Sequence, residues 1–378
     1  MKHAENNLRG KHVLVAILTG AIMIAGTFTT SFAQAGNRLY LRFDDNATTN
    51  ARGIRIKPSE GNDYYWVFGD VNPITGNGVA KVQPGCIRIN HRHYSSNAAL
   101  TAITNVSDFV TNGTDITVAA HRWSRQFSSP PAFLDQAMPL TRLDQNINLI
   151  TGNSDDYPLN TRFMHPGAKI VRNGGDYITA FNCYDLTGDT TAGGGNLMDW
   201  GMAKINATTM AVTWSFAFAH INPNNTAMRY HEDVRDVLSV AGNAYVACGA
   251  KRNFGTMQFG GIVAKVDNNG ALLWYREYYA PGGARIYFTC ISEVLIPNGT
   301  EYIVSGSYSL NNQPGTRDGI ITAGLDPATG AVIWCYVWTP PVPYTAVVPS
   351  GGMQSGFRHV NMPDRGIVVC AIVQNQNT

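Results

Sequence analysis

Charge is scarce in this chain. Only 14% of its 378 residues are charged, and the formal net charge is +2. No field of one sign exists to gather nucleic acid or a strongly anionic partner. A nucleic-acid partner is therefore not expected. Long helix-forming runs rich in Ala, Glu and Lys are missing too, which tells against a helical bundle or coiled coil. The six cysteines are Cys86, Cys183, Cys248, Cys290, Cys335 and Cys370. None has the close Cys-x-x-Cys spacing of a zinc or redox site. The strings G-x-S-x-G, H-E-x-x-H and G-x-x-x-x-G-K are absent. With them go the local signatures of a hydrolase elbow, a zinc helix and a phosphate loop. A His-Ser or His-Asp dyad assembled from distant residues stays open.

What is present points to β structure. Hydrophobic residues make up 44% of the chain, ample for a large core. Gly, Asn, Thr and Tyr are plentiful, and Arg outnumbers Lys. That mixture suits a turn-rich β protein. The N-terminus reads as an export signal. Lys2, Arg9 and Lys11 form a basic start, an apolar run covers 13–28, and Ala33-Gln34-Ala35 is a small-x-small cleavage site. The apolar run is shorter than the roughly twenty residues a membrane span needs. An uncleaved anchor is the alternative. The first cysteine is Cys86, so a lipid-anchored start is not expected. Residues 1–35 are assigned to a signal peptide and 36–378 to one domain, with no membrane span in the mature chain. The protein is then secreted, periplasmic or on the cell surface. Oxidising compartments permit disulfides, but most of the cysteines fall in strand patterns. Buried thiols and one or two bridges both remain open.

One hairpin pattern recurs along the whole chain. Its copies are 54–69 (IRIKPSEGNDYYWVFG), 106–120 (VSDFVTNGTDITVAA), 168–181 (AKIVRNGGDYITAF), 234–249 (VRDVLSVAGNAYVACG), 291–306 (ISEVLIPNGTEYIVSG) and 358–371 (RHVNMPDRGIVVCA). Turn residues such as Asn-Gly, Gly-Asn and Gly-Gly sit in the middle of each, supplying the positive φ of tight hairpins. The second strands begin at Tyr64, Ile116, Tyr177, Tyr245, Tyr302 and Ile367, at a period of roughly sixty residues. A second hairpin follows five of the six, most clearly at 201–214, 261–274 and 319–334, and more loosely at 78–89 and 139–150. Four strands per unit, restated six times, predict an all-β fold. The expected architecture is a six-bladed β-propeller of four-stranded antiparallel blades. Its blades would cover about 54–100, 105–158, 165–220, 231–281, 286–341 and 355–378. The last lacks its second hairpin, so the strand-like stretch at 37–45 (around RLYLRFD) is expected to complete it and close the ring, leaving no exposed sheet edge.

The run from Asp326 through Thr329 and Gly330 to Trp334 has the spacing D-x-x-T-G-x-x-x-W. It resembles the tryptophan-docking repeat of quinoprotein-like (PQQ-type) propellers. Asn206–Trp214 keeps the Thr but has Met210 in place of the Gly, and Asp267–Trp274 is one residue shorter. The resemblance implies that Trp214, Trp274 and Trp334 pack against neighbouring blades. It would also imply a quinone-dependent dehydrogenase. However, the adjacent cysteines common near that cofactor are missing, so no cofactor is expected, neither PQQ nor calcium. Asp185 and Asp189 fall short of the staggered oxygens of a calcium loop.

Two sets of residues are candidates for chemistry. Counting back from each second strand places Arg55, Asp108, Lys169, Asp236, Glu293 and His359 on the innermost strands, as an ionisable ring around a central channel. Interblade ion pairing is one use for such a ring, since partly buried charges need partners. A cation or ligand held by Asp236 and Glu293 is the other. The entries to the inner strands bring Arg162, His165, Arg229, Tyr230, His231, Arg285, Tyr287, Arg358 and His359 to the channel mouth. Trp123 opens a long loop expected on the same face. Arg, Tyr and His there suit sugar hydroxyls, carboxylates or a polypeptide. They would equally cap loop carbonyls and fill gaps between blades. With no catalytic signature, the expected function is non-catalytic binding of a protein or glycan through the loop-rich face. The alternative is an enzyme at the channel mouth, a lyase or hydrolase using His231 or His359, or a quinone-dependent dehydrogenase. A module of a larger surface protein is a third reading.

Overall fold

The structure, a computed structural model, describes residues 14–19, 52–58, 65–72, 76–83, 87–94, 104–112, 115–123, 136–137, 140–148, 150, 164–184, 198–218, 230–253, 258–297, 299–309, 318–341, 344–346, 358–362 and 366–375. Among these the chain is all-β, apart from a 3-10 turn at Pro281–Gly283. β1 (Leu14–Thr19) belongs with the last sheet. The first sheet is β2 (Arg52–Pro58), β3 (Tyr65–Asn72), β4 (Gly76–Gln83) and β5 (Ile87–Tyr94). β6 (Thr104–Asn112), β7 (Asp115–Trp123), β8 (Gln136–Ala137) and β9 (Leu140–Leu143) form the second, where β8 and β9 both pair with β7. The third is β10 (Met164–Asn173), β11 (Asp176–Tyr184), β12 (Met198–Asn206) and β13 (Val212–Phe218). The fourth is β14 (Tyr230–Val240), β15 (Ala244–Asn253), β16 (Phe259–Val266) and β17 (Leu272–Tyr278). The fifth is β18 (Arg285–Ile296), β19 (Gly299–Ser309), β20 (Asp318–Leu325) and β21 (Val332–Trp338). In the sixth, β22 (Tyr344–Ala346), β23 (Arg358–Asn361) and β1 all pair with β24 (Ile367–Asn375).

The first five sheets are antiparallel throughout, and their strands follow in chain order. First strands pack on first strands from sheet to sheet: β6 on β10, β10 on β14, β14 on β18 and β18 on β23. Sheets that meet in sequence at their inner strands form a propeller-type arrangement. Apolar side chains fill the seams. Ile178, Trp200, Val237, Tyr245 and Ile262 join the third and fourth sheets, while Val246, Val263, Phe288, Tyr302 and Val304 join the fourth and fifth. Tyr177, Tyr245 and Tyr302, the repeat's anchors on β11, β15 and β19, are buried.

Every inner strand from β2 to β18 carries a bulge, and the residue after it is the repeat's fixed point. Those residues are Arg55, Asp108, Lys169, Asp236 and Cys290. A bulge bends its strand and re-aims the following side chain. The outer hairpins share a turn in which an Asx carboxylate or amide accepts from the backbone ahead. Asp144 takes the N–H groups of Asn146 and Asn148, Asn206 those of Thr208 and Thr209, Asp267 those of Asn269 and Ala271, and Asp326 those of Ala328 and Thr329. Trp214 Nε1 donates to Asn268 O at 2.9 Å, and Trp274 Nε1 to Pro327 O at 3.2 Å. Each ring thus docks on the turn of the next sheet. Gly270 (φ +85) and Gly330 (φ +72) lie beneath these rings, where an added Cβ would stand 3.0 and 2.8 Å from them. Trp334 does otherwise: its Nε1 donates to Glu301 within its own sheet. Met210 adopts φ 61 where the repeat has Gly. The preceding unit has Ile150 in place of Trp, so that turn needs the left-handed backbone but not the missing side chain.

Three details differ from expectation. The register of the first unit starts at Tyr65, opposite Val82, as Tyr245 is opposite Val266; the anchor is one residue beyond Tyr64. The edge of β24 opposite β23 is taken by β1, paired in parallel from Leu14↔Val368 to Thr19↔Val373. The stretch 37–45 expected there lies outside the described residues. Cys248, Cys290 and Cys335 are free thiols; the side chains of Cys86, Cys183 and Cys370 also lie outside.

Candidate functional site

The inner-strand residues follow one rule at two seams and depart from it at a third. Asp108 Oδ2 accepts the backbone N–H of Ile170 on the next sheet at 3.3 Å. Asp236 Oδ2 does the same for Ile291 at 3.1 Å. The strand that follows each bulge is thereby tied to its neighbour by one charge-assisted hydrogen bond. In the fifth sheet the equivalent position is Cys290, opposite Ser305 as Asp236 is opposite Cys248. The residue it faces on β23 is His359, which takes the place of Ile170 and Ile291. Here a polar cluster stands where Asp108 and Asp236 make their backbone links.

His359 is the centre of that cluster. Its Nε2 lies 2.6 Å from Ser292 Oγ on β18. Its Nδ1 lies 2.9 Å from Ser305 Oγ on β19 and 3.1 Å from Cys290 Sγ. Ser292 Oγ also donates to Asn361 Oδ1 at 3.1 Å, while Asn361 Nδ2 donates to Glu293 O. Ser305 Oγ continues to Thr322 Oγ1 at 3.1 Å. Ser305, Thr322 and Cys290 are buried; Ser292, His359 and Asn361 are half-buried. The arrangement therefore has an accessible side, with a hydroxyl on imidazole, and a buried side, with hydroxyls and a thiol behind it. A hydroxyl in hydrogen-bond contact with an imidazole whose second nitrogen is held by another group is the constellation of an activated nucleophile.

The ring expectation is corrected in two members. Arg55, Asp108, Lys169 and Asp236 do occupy equivalent positions. Glu293 pairs with Tyr302, three residues past Cys290, and the sixth equivalent of Asp236 is Arg358, one before His359. Asp236 and Glu293 are not joined into a cation site. Asp236 is engaged with Ile291 and with the N–H of Val237, whereas Glu293 has Lys265 and Tyr302 as its electrostatic neighbours. Among the described residues no group of three or more His, Cys, Asp or Glu is placed to hold a metal ion.

The mouth candidates divide. Arg285 and Arg252 stack on the Phe259 ring at 4.4 and 5.0 Å, and Tyr287 adjoins the same ring at 5.3 Å. They fill the seam between the fourth and fifth sheets, and burial pushes the Tyr287 phenol up to about 12. Tyr230 and His231 open β14, His165 lies in β10, Trp123 ends β7 and Arg358 opens β23. Their side chains, with the whole of Arg162 and Arg229, are outside the described residues.

A second charged cluster was not anticipated. Lys251 Nζ lies 3.4 Å from Glu232 Oε1 and 2.6 Å from Glu277 Oε1. Tyr275 donates toward both carboxylates and Tyr279 donates to Glu277 at 2.6 Å. Burial, with the two carboxylates beside it, drives the Tyr275 phenol far above its ordinary range, so it remains a donor. Glu232 is 0% exposed and Lys251 is buried over it, while Glu277 keeps 25% of its side chain exposed, so the ion cluster is internal at Glu232 and reaches solvent at Glu277. Neither cluster was legible as a motif. The trace of the first is the small polar run Ser305, Ser307, Ser309 on β19, where the fourth sheet has Cys248, Ala250 and Arg252.

No family model and no curated protein matches the chain. Solved structures of similar fold do. An α-L-arabinofuranosidase from Lactobacillus brevis is 8% identical over 74% of this chain and 92% of its own, with a TM-score of 0.38. A sialidase from Trypanosoma rangeli is 9% identical over 86% and 54%, with a TM-score of 0.45. A member of the duf4221 family from Bacteroides vulgatus is 11% identical over 86% and 98%, with a TM-score of 0.43. The expectation of a non-catalytic binder that is not an enzyme is corrected on this finding, because glycosidases stand among the similar structures. At these identities the likeness concerns the course of the chain, and no residue role is carried over from it.

Proposed function

We propose that the protein is a hydrolase whose reaction centre is the Ser292–His359 pair. The observation that carries this reading is the 2.6 Å contact between Ser292 Oγ and His359 Nε2, at a seam where Cys290 stands in the position of Asp236. In the reaction, the Ser292 hydroxyl turns its one proton from Asn361 Oδ1 to Nε2, which takes it as Oγ attacks an ester carbonyl. The imidazolium returns that proton to the departing alkoxide, leaving an acyl-enzyme. Water, deprotonated by the same nitrogen, releases the acid and restores Ser292. Cys290 is too buried to serve as the nucleophile in its place.

The wider frame belongs to the same proposal. The six sheets are the blades of one closed propeller, and the Ser292–His359 seam opens on its channel. Export, with cleavage near Ala35, removes β1 and leaves the edge of β24 to residues 38–44. Trp214 and Trp274, each docked on the next turn, support kinship with tryptophan-docking propellers, without a quinone in the reaction. Acyl esters borne on carbohydrate are the substrate class to test first. The entry positions Tyr230, His231 and Arg358 suit sugar faces and hydroxyls.

The test is hydrolysis of a chromogenic acetyl ester and of an acetylated glycan by the mature protein. Wild type should release acetate and Ser292→Ala should lose at least about a hundredfold in kcat. Chromogenic glycosides belong in the same assay. Any cleavage that persists in Ser292→Ala at the wild-type rate places the reaction centre elsewhere.

A further inference from the structure

β21 is the outermost strand of the fifth sheet, and among the described residues no strand pairs with its outer side. The hairpin shows which backbone groups face outward. Asp326 N–H donates to Ala331 O, so the even-numbered residues along β20 turn their backbone groups to β21. Their partners Trp334, Tyr336 and Trp338 are used in that ladder. Ile333, Cys335 and Val337 therefore present N–H and C=O outward, a ready template for another strand.

Soluble proteins blunt such edges with charged or polar side chains. The other outer strands do so. Counted from Trp214 and Trp274, the outward row contains Thr213 and Ser215 on β13 and Glu277 on β17. On β21 it is Ile333, Cys335 and Val337, and the whole strand carries no charge. Ile333 and Val337 are 52% and 45% exposed. Trp334 and Trp338 lie on the opposite face and pack toward Ile303, Ile320, Ile367 and Val369. The edge is also bounded: the Asp326 turn precedes it, and Thr339-Pro340-Pro341 ends it.

We infer that β21 docks on β21 of a second copy, antiparallel, with Cys335 on the two-fold axis. A two-fold contact needs a strand that matches itself read backwards. VIWCYVW does so. Val332 meets Trp338, Ile333 meets Val337 and Trp334 meets Tyr336, all apolar on apolar, with aromatic and β-branched pairs that favour cross-strand contact. A strand of another protein would find no charge here to select it. The pairing closes on itself, since each copy spends its one apolar edge. Seven residues a side make a small contact beside the roughly 1,200–2,000 Å² of a standard interface, so the dimer should dissociate on dilution.

The test is sedimentation of the mature protein over a range of concentrations, with cross-linking. Wild type should pass from monomer to dimer as concentration rises. Opposite Cα atoms in such a pair stand roughly 5.5 Å apart, so a short bis-maleimide should join Cys335 to Cys335, identified by peptide mass. Ile333→Lys with Val337→Lys sets like charges opposite each other and should weaken the dimer at least about tenfold. Ile333→Glu with Val337→Lys places as many charges on the same edge, but opposite in sign across the axis, and should keep the dimer. A chain that stays monomeric throughout overturns the inference. So does a dimer with no Cys335–Cys335 product, or one that responds alike to the two double variants.

Discussion

At the scale of single residues, two kinds of position matter, those that fix turns and those that hold charge. Gly330 combines φ +72 with the Trp274 ring above it. Gly330→Ala should therefore destabilise by more than the ~1–2 kcal/mol of a left-handed alanine, seen as a lowered unfolding midpoint. Asp326 shows the electrostatic side of the same turn. The backbone N–H and hydroxyl of Thr329, with the N–H of Ala328, hold its carboxyl below the usual carboxylate range. A carboxyl lowered in the folded state contributes stability above its unfolded pKa and loses it as pH falls through the folded one. Asp326→Asn should be less stable than wild type at neutral pH and converge with it in acid, in denaturant titrations across pH. Inside the ion cluster, Lys251→Met strands two carboxylates around one buried site. The expected loss is about 3–5 kcal/mol.

At the scale of strands and seams, the inner bulge is the working unit. Asp236 reaches over its own sheet to the N–H of Ile291. Asp236→Ala leaves that donor without its charged acceptor and should cost about 1–3 kcal/mol, with the loss showing in hydrogen exchange at Ile291. The contrast between the seams also explains what the sequence disclosed. Hairpins, turn residues and outer tryptophans were legible, because each is a local pattern with a local cause: positive φ in a turn, alternation along a strand, a ring over a glycine. The inner ring was legible only in part. Arg55, Asp108, Lys169 and Asp236 follow bulges of nearly constant placement, so counting from the second strand finds them. Counting slips at Glu293 and His359, because only a pairing register shows that β18 bulges at Phe288/Cys290 and that β23 starts at Arg358. Ser292 carried no signal at all: its partner is 67 residues away, and a lone serine in a strand has no period.

At the scale of the whole molecule, one hairpin repeat is reused from sheet to sheet, and the seam between the fifth and sixth sheets departs from it. Apolar packing joins the third, fourth and fifth sheets, and an Asp link ties two of the inner strands to the next. The seam between the fifth and sixth sheets carries a polar cluster instead, with Ser292, His359 and Asn361 half-buried. The proposed ring closure by residues 38–44 after export carries its own expectation. The mature chain should begin near Gly36, read by mass spectrometry, and removal of residues 36–45 should lower the unfolding midpoint. The measurement that bears most directly on the central claim is single-turnover mixing of the mature protein with a chromogenic acetyl ester, followed by intact mass. Wild type should show a burst of alcohol and one acetyl group on Ser292, and Ser292→Ala should show neither. Ester turnover with no acetyl adduct, and with the same rate in Ser292→Ala, would contradict it.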